Sequence, residues 1–396
     1  MSRYDWMEEE WERLKSVSLA RSIRSVDAVI GEEGTWIRVS GKSLLNLSSN
    51  NYLGLAHDPR LKAAAVRGIE EWGAGATASR FVLGSHGLYE QLEQRLAEWK
   101  GREAALVFAN GYQANTGVIS ALVGRGDAVF SDRLNHASIV DGIVLSRAEH
   151  CRYRHNDMEH LEYLLKRHQG ARRKLIVTDT VFSMDGDLAP LADLVELKRR
   201  YGALLMVDEA HAGGVLGRSG EGLCHELGLS REVDIIMGTF SKAFGSYGAY
   251  VCGATSVVRY LTSKARSLIY STALPPSVLA SIHAALTIVQ EEGERRKRLR
   301  ELGSRFRGML RERGFSVAEG RTPIIPLVLG ESGVALQYSR MLEERGIAAV
   351  AIRPPTVPAG TARIRFTVMA THTTTELEWA ADQLQQIRAE LQWEGR

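Results

Sequence analysis

The stretch Ala203-Leu204-Leu205-Met206-Val207-Asp208-Glu209-Ala210-His211 is an apolar run of strand length that stops at a carboxylate. The same design recurs on both sides of it. Apolar runs at 104–108, 128–130 and 175–177 precede it, runs at 235–237 and 250–252 follow, and helix-length segments lie between them. A parallel crossover needs a helix-length connection, so this alternation predicts a mostly parallel sheet with both faces covered, an α/β fold. Functional residues in such folds gather beyond the C-terminal ends of strands. Asn110-Gly111-Tyr112, Ser183 and Asp208 fall at such ends.

The flanks read differently. The first thirty or so residues are expected to form an amphipathic helix, with Trp6, Trp11, Leu14 and Val17 near helical spacing. Extended stretches follow at 36–39 and 44–47, then a turn-rich segment at 48–55 and a helix after Asp58-Pro59. Pro275-Pro276 opens a long helical stretch. The arginine-rich segment 291–313 carries Leu299, Leu302, Phe306 and Leu310 at helical spacing, which reads as a solvated helix with its stripe on the core rather than a basic binding helix. Strands at 322–329, 347–352 and 362–368 complete a smaller α+β C-terminal domain. The expected division is an arm at 1–48, a large domain at 49–280 and a small one at 281–396.

A chain of 396 residues that is 44% hydrophobic can bury a sizeable core. Its 50 basic and 47 acidic residues nearly balance, which gives no reason to expect nucleic acid or a membrane as partner. No apolar run approaches the roughly 20 residues that span a bilayer. The charged opening, Met1-Ser2-Arg3-Tyr4-Asp5-Trp6, is unlike a secretory leader. Cys151, Cys224 and Cys252 show no paired spacing, which argues against a disulfide framework or a structural zinc site and fits a cytoplasmic setting.

The chemistry concentrates in Thr239-Phe240-Ser241-Lys242-Ala243-Phe244-Gly245 and in the Asp208–His211 turn. Most lysines only solubilise. Lys242 sits instead among small residues just after a buried strand, where partial desolvation lowers its pKa and frees the amine to attack an aldehyde. Asp208 is either a strand-end cap or the partner of a protonated ring nitrogen. His211 follows it on a neighbouring face of the turn, within reach of the same ring. His136 is either a structural histidine or a ring stacked on a flat, electron-poor heterocycle. Gly111-Tyr112 at a helix start offers backbone N–H groups to a phosphate, and Thr239 offers a hydroxyl. The combination suits pyridoxal 5′-phosphate (PLP). Asp208-Glu209-Ala210-His211 also occurs in ATPases, but no Gly-x-x-x-x-Gly-Lys-Ser/Thr loop accompanies it here.

With these residues in this order the chain resembles the α-oxoamine synthases. The resemblance rests on Ser49-Asn50-Asn51-Tyr52-Leu53-Gly54-Leu55, Asn135-His136-Ala137-Ser138, Val181-Phe182-Ser183-Met184-Asp185-Gly186, Asp208-Glu209-Ala210-His211 and Thr239-Phe240-Ser241-Lys242, and it covers nearly the whole chain. It implies a fold-type I PLP-dependent transferase, with a large domain on a mostly parallel sheet and a smaller α+β C-terminal domain. It also implies decarboxylative condensation of an amino acid with an acyl thioester. By the same resemblance Lys242 is the cofactor lysine and proton carrier, Asp208 meets the ring nitrogen, His211 the phenolic oxygen, and His136 stacks on the ring. Gly111, Tyr112, Ser183 and Thr239 contact the cofactor, and Thr272 reaches its phosphate from the second subunit of a homodimer. Arg353 and Thr356 bind the amino-acid carboxylate. Asn50 and Arg21, with Arg24 as a neighbouring candidate, meet the acyl group. The run Arg353-Pro354-Pro355-Thr356-Val357 resembles the branch that joins L-alanine to pimeloyl-CoA or a pimeloyl-carrier protein, more than the branch that uses glycine and acetyl-CoA.

Overall fold

The computed structural model describes residues 2–392. The larger of two compact units comprises Asn50–Ser183 and Asp187–Lys297. Its sheet has seven strands: β1 (Ala104–Phe108), β2 (Ala128–Asp132), β3 (Glu149–Tyr153), β4 (Lys174–Asp179), β5 (Leu204–Asp208), β6 (Ile235–Thr239) and β7 (Ala249–Gly253). They lie in the order β1-β7-β6-β5-β4-β2-β3. Strand β7 is antiparallel to both neighbours, and the pairs from β6 to β3 are parallel. The expected mostly parallel α/β sheet is therefore present.

Apolar runs become central strands here because both faces are covered. Val129, Val177, Met206, Ile235 and Val251 are buried in one cluster with Val118 and Ile119 of helix α1 (Gly111–Leu122) and Ile139 of helix α2 (Ala137–Ser146). Each such side chain contributes about 1.5–3 kcal/mol by leaving water. Strand β3 has no counterpart in the apolar pattern. Glu149-His150-Cys151-Arg152-Tyr153 alternates polar with apolar, as an edge strand with one covered face does.

Helix Pro276–Glu291 belongs to this unit, beyond the expected boundary at 280. It packs on helix Pro59–Trp72 so closely that a Cβ at Gly68 would lie 2.9 Å from the Pro276 carbonyl oxygen. Asp58 caps helix Pro59–Trp72 by accepting the Arg60 N–H.

The smaller unit gathers the described residues up to Ser49, Met184–Gly186 and those from Arg298 onward. The arm does not stand apart from the C-terminal region as expected, because strand Lys42–Asn46 pairs in parallel with Ile347–Ala348. A second sheet places Ala362–Thr367 between Ile324–Gly330 and Ala351–Ile352. In helix Gly293–Glu312, Leu299, Leu302, Phe306 and Leu310 are all buried, so the arginines flank a core stripe. The opening helix is shorter than its pattern implies. It spans Asp5–Ser16, buries nothing, and ends where Ser18 turns to a left-handed φ of 57°. Among the described residues no helix is long and apolar enough to cross a membrane.

His372 gives this unit a pH dependence. Its ring is fully buried and its Nδ1 accepts the Met369 N–H at 2.9 Å. Burial lowers its pKa from 6.5 to about 4. The unfolded chain therefore binds a proton that the folded chain refuses, so stability falls as pH drops from 6.5 towards 4. The loss reaches about 3 kcal/mol below that window. Urea titrations at pH 7.5 and 4.5 should show it, and His372→Gln should flatten this part of the profile.

Candidate active site

The C-terminal ends of β4, β5 and β6 and the starts of α1 and α2 bring most of the expected residues together. Asp208 ends β5 and is 3% exposed. Its Oδ1 accepts the Ala210 N–H at 2.8 Å, and its Oδ2 accepts from Asn115 Nδ2 at 2.9 Å. Asn115 lies one turn into α1, and its Nδ2 also donates to Ser138 Oγ at 2.9 Å. Ser138 Oγ lies 2.7 Å from His136 Nδ1. With both amide hydrogens of Asn115 spent, the Ser138 hydroxyl donates to Nδ1. A continuous chain thus runs from carboxylate through amide and hydroxyl to imidazole. Asn115 Oδ1 is buried without a hydrogen-bond partner.

His136 caps α2, and its backbone N–H donates to Asp179 Oδ2 at 2.8 Å. Asn135 ties the same turn to β4, donating to the Val177 carbonyl at 2.8 Å and accepting the Asp179 N–H at 3.0 Å. The His136 ring stays exposed on its open side. The protein around the rest of the ring pushes its pKa down, Asp208 pulls it up, and Lys242 pushes it down again. Asp179 is raised well above the ordinary carboxylate range by burial and then by Asp208, with Lys242 opposing. Lys242 therefore lies within electrostatic reach of a buried pair of acids that repel one another.

His211 is buried, and its Nδ1 lies 2.6 Å from the Tyr52 hydroxyl. Tyr52 is also buried and donates to Asn50 Oδ1 at 3.2 Å. Thr239 ends β6, lies 2.8 Å from Ser241 Oγ and donates to the Gly248 carbonyl at 2.8 Å. Gly245, at φ 61°, is obligatory, because a Cβ there would collide with the Ala56 backbone nitrogen. Gly111 opens α1. The Tyr112 side chain is exposed and its hydroxyl donates to Asp141. Ser183 is half-buried after the bridge between Val181 and Leu188. Nearby, His155 lies between Asp132 and Asp187, which outweigh its burial and raise its pKa to about 9. Thr272 is exposed and bridges to Ser79.

The remaining candidates lie in the smaller unit. Arg353 donates to the Ser18 carbonyl. Arg21 donates to Thr356 Oγ1 at 3.0 Å. Arg24 is committed to Glu343 at 2.5 Å. Burial lowers the Arg353 pKa, and the Arg21 guanidinium lowers it further. Two cations thus stand near one another with no carboxylate of this chain assigned to either among the described residues.

Sequence reasoning missed Asn115, Ser138 and Tyr52 as site residues. Tyr52 and Ser138 lie inside quoted motifs, and Asn115 shares a helix with Gly111, four residues on. The site as built offers buried carboxylates within electrostatic reach of a lysine, an imidazole with an open face, a helix N-terminus and two hydroxyls. That set suits a flat cationic heterocycle with an anionic arm, and Asn115 Oδ1 is a buried polar atom whose hydrogen-bonding capacity is unused.

The family model for aminotransferase class I and II matches residues 42–384. A Bacillus cereus (strain ATCC 10987 / NRS 248) protein, provisionally named 8-amino-7-oxononanoate synthase, is 52% identical over 386 residues, covering 97% of this chain and 98% of its own. A variant serine palmitoyltransferase from S. paucimobilis, solved with a bound PLP-myriocin aldimine, superposes with a TM-score of 0.93 at 31% identity over 98% of both chains. An 8-amino-7-oxononanoate synthase from Francisella tularensis gives 0.77 at 29% identity over 89% of this chain and 98% of its own.

Proposed function

The chain belongs to the class I and II aminotransferase family, as a PLP-dependent acyl-transferring enzyme of the α-oxoamine synthase group, and we propose that it joins L-alanine to a pimeloyl thioester. The products are 8-amino-7-oxononanoate, CO2 and the free thiol of CoA or of a carrier protein, a step of biotin biosynthesis. The observation that carries this reading is the pair Arg21 and Arg353. An amino acid brings one carboxylate, and a pimeloyl group brings a second at its far end. Acetyl and palmitoyl groups bring none.

When bound, PLP supplies an aldehyde that joins an amine and a ring that withdraws electrons from the Cα of an amino acid. Asp208 would hold a proton on the ring nitrogen, and Asn115 fixes the carboxylate for that task. His211, steadied by Tyr52, would meet the phenolic oxygen. His136 would stack on the ring, held there through Ser138. Thr239 and the N–H groups at Gly111 and Tyr112 would receive the phosphate, with Ser183 alongside. Lys242 Nζ takes the Cα proton and later returns it. Arg353 grips the alanine carboxylate through a two-pronged guanidinium, with Thr356 beside it. Arg21 receives the distal acyl carboxylate, since Arg24 is already paired, and Asn50 contacts the acyl group.

We propose further that the enzyme is a homodimer in which Thr272 serves the partner's phosphate. Supporting it, Phe81, Val82, Leu83 and Tyr270 are exposed near the Ser79–Thr272 bridge, an apolar patch of the kind that second copies cover.

A panel crossing alanine, glycine and serine with pimeloyl-, acetyl- and palmitoyl-CoA tests the reading through CoA release. Alanine with pimeloyl-CoA should give the highest kcat/KM. Arg21→Ala should raise KM for pimeloyl-CoA about 10- to 100-fold, as loss of a charge-assisted contact does. Highest turnover with glycine and acetyl-CoA would make the protein a glycine C-acetyltransferase. Preference for serine and palmitoyl-CoA would align it with the serine palmitoyltransferase it superposes on.

A further inference from the structure

At the opposite end of the sheet from the candidate active site, three electron-rich side-chain atoms converge. Glu149 and Cys151 sit two apart on edge strand β3, so both side chains lie on one face. His168 follows the last turn of helix Met158–Arg167. His168 Nε2 lies 3.0 Å from Glu149 Oε1 and 3.5 Å from Cys151 Sγ, and all three atoms lie within 4.8 Å of one another.

We propose that Glu149, Cys151 and His168 form a binding site for a thiophilic divalent cation of the Zn2+ class. The spacing matches that chemistry. Zinc bonds of about 2.3 Å to sulfur and about 2.0–2.1 Å to nitrogen or oxygen set tetrahedral edges of about 3.5 Å for S···N and about 3.3 Å for N···O. The observed edges are within a few tenths of an ångström of both. The imidazole is already oriented. His168 Nδ1 lies 2.8 Å from the Leu164 carbonyl, to which it donates its N–H, leaving the Nε2 lone pair facing the other two ligands. A backbone carbonyl on the far nitrogen is the usual support for a metal-bound histidine. Phe130 packs edge-on against the same ring, with centroids 5.9 Å apart.

Thiolate with imidazole selects zinc-like ions over Mg2+ or Ca2+. As the metal–sulfur bond forms, the Cys151 proton leaves to solvent. Glu149 and His168 also line a pocket of about 570 Å3 with Arg125, Arg147 and Arg167, from which water or a small anion would complete the coordination. The ion would fasten an edge strand to the helix that follows it.

Holoenzyme stripped by chelator and dialysed against Zn2+, with Mg2+ in a parallel arm, tests this through the bound metal per chain. The expected result is one Zn2+ and no retained Mg2+. Cys151→Ser and His168→Gln should each weaken zinc binding at least ~100-fold, whereas Cys224→Ser should keep it. Zinc should also raise the Tm of the wild type and leave that of Cys151→Ser unmoved. A wild type that retains no zinc, or Cys151→Ser and His168→Gln chains that retain as much as wild type, would overturn the proposal. Because unliganded variants are compared by their own metal-free Tm, a folding defect would be seen separately.

Discussion

If Lys242 has the role proposed above, Lys242→Ala is expected to lower CoA release at least ~10⁴-fold, because one substitution removes both the proposed covalent anchor of the cofactor and the proposed base for the Cα proton. It should also remove the visible absorbance that a lysine-joined cofactor gives. The protein should otherwise stay folded. Lys242 is half-buried in a loop whose backbone is held by other groups: Ser246 N donates to the Phe240 carbonyl at 2.9 Å, and Thr239 Oγ1 to the Gly248 carbonyl at 2.8 Å. An unchanged Tm beside lost turnover is therefore the expected pair of readings. Retained turnover would remove Lys242 from the chemistry.

The second large effect is on stability. Lys100 is 1% exposed, and its Nζ lies 2.6 Å from Glu209 Oε2, whose side chain is wholly buried. Burial opposes the lysine's charge, yet Glu209 beside it keeps the amine's pKa raised. Nζ also donates to the Glu221 carbonyl, and Glu209 Oε1 accepts the Cys224 N–H at 2.8 Å. Lys100→Met would leave that carboxylate in the core without its cation. Breaking such a pair costs about 3–5 kcal/mol, which urea denaturation would read as a lower midpoint at unchanged slope. Lys100→Met combined with Glu209→Leu should recover much of the loss, because it removes the stranded charge. Glu209 directly follows Asp208, so the single variant should also weaken cofactor retention.

What the sequence revealed follows from which interactions are local. Asp208, Lys242 and His136 can be picked out as candidates because each lies at or just after an apolar strand or its turn, and the sheet delivers those ends to one edge. Asn115 could not. Nothing in Gly111-Tyr112-Gln113-Ala114-Asn115 marks it, and its importance arises only when α1 packs against the ends of β5 and α2. Strand β3 was hidden because an edge strand needs apolar residues on one face alone. The arm looked separate because its link to the C-terminal region is a two-residue parallel pairing, 347–348 with 45–46, across some 300 positions. Arg21 and Arg24 are equivalent in sequence, and only Glu343, brought near by folding, separates them. The cysteine spacing argues against a structural zinc site, and the Glu149, Cys151 and His168 trio proposed above runs against that expectation, because it depends on a strand and a helix end meeting that spacing does not reveal.

The most direct test of the central claim is borohydride reduction of the PLP-loaded enzyme, followed by digestion and mass mapping of its lysines. The account predicts a single pyridoxyl-phosphate adduct, on the peptide that carries Lys242. Label on another lysine, or none after full reconstitution, would contradict it.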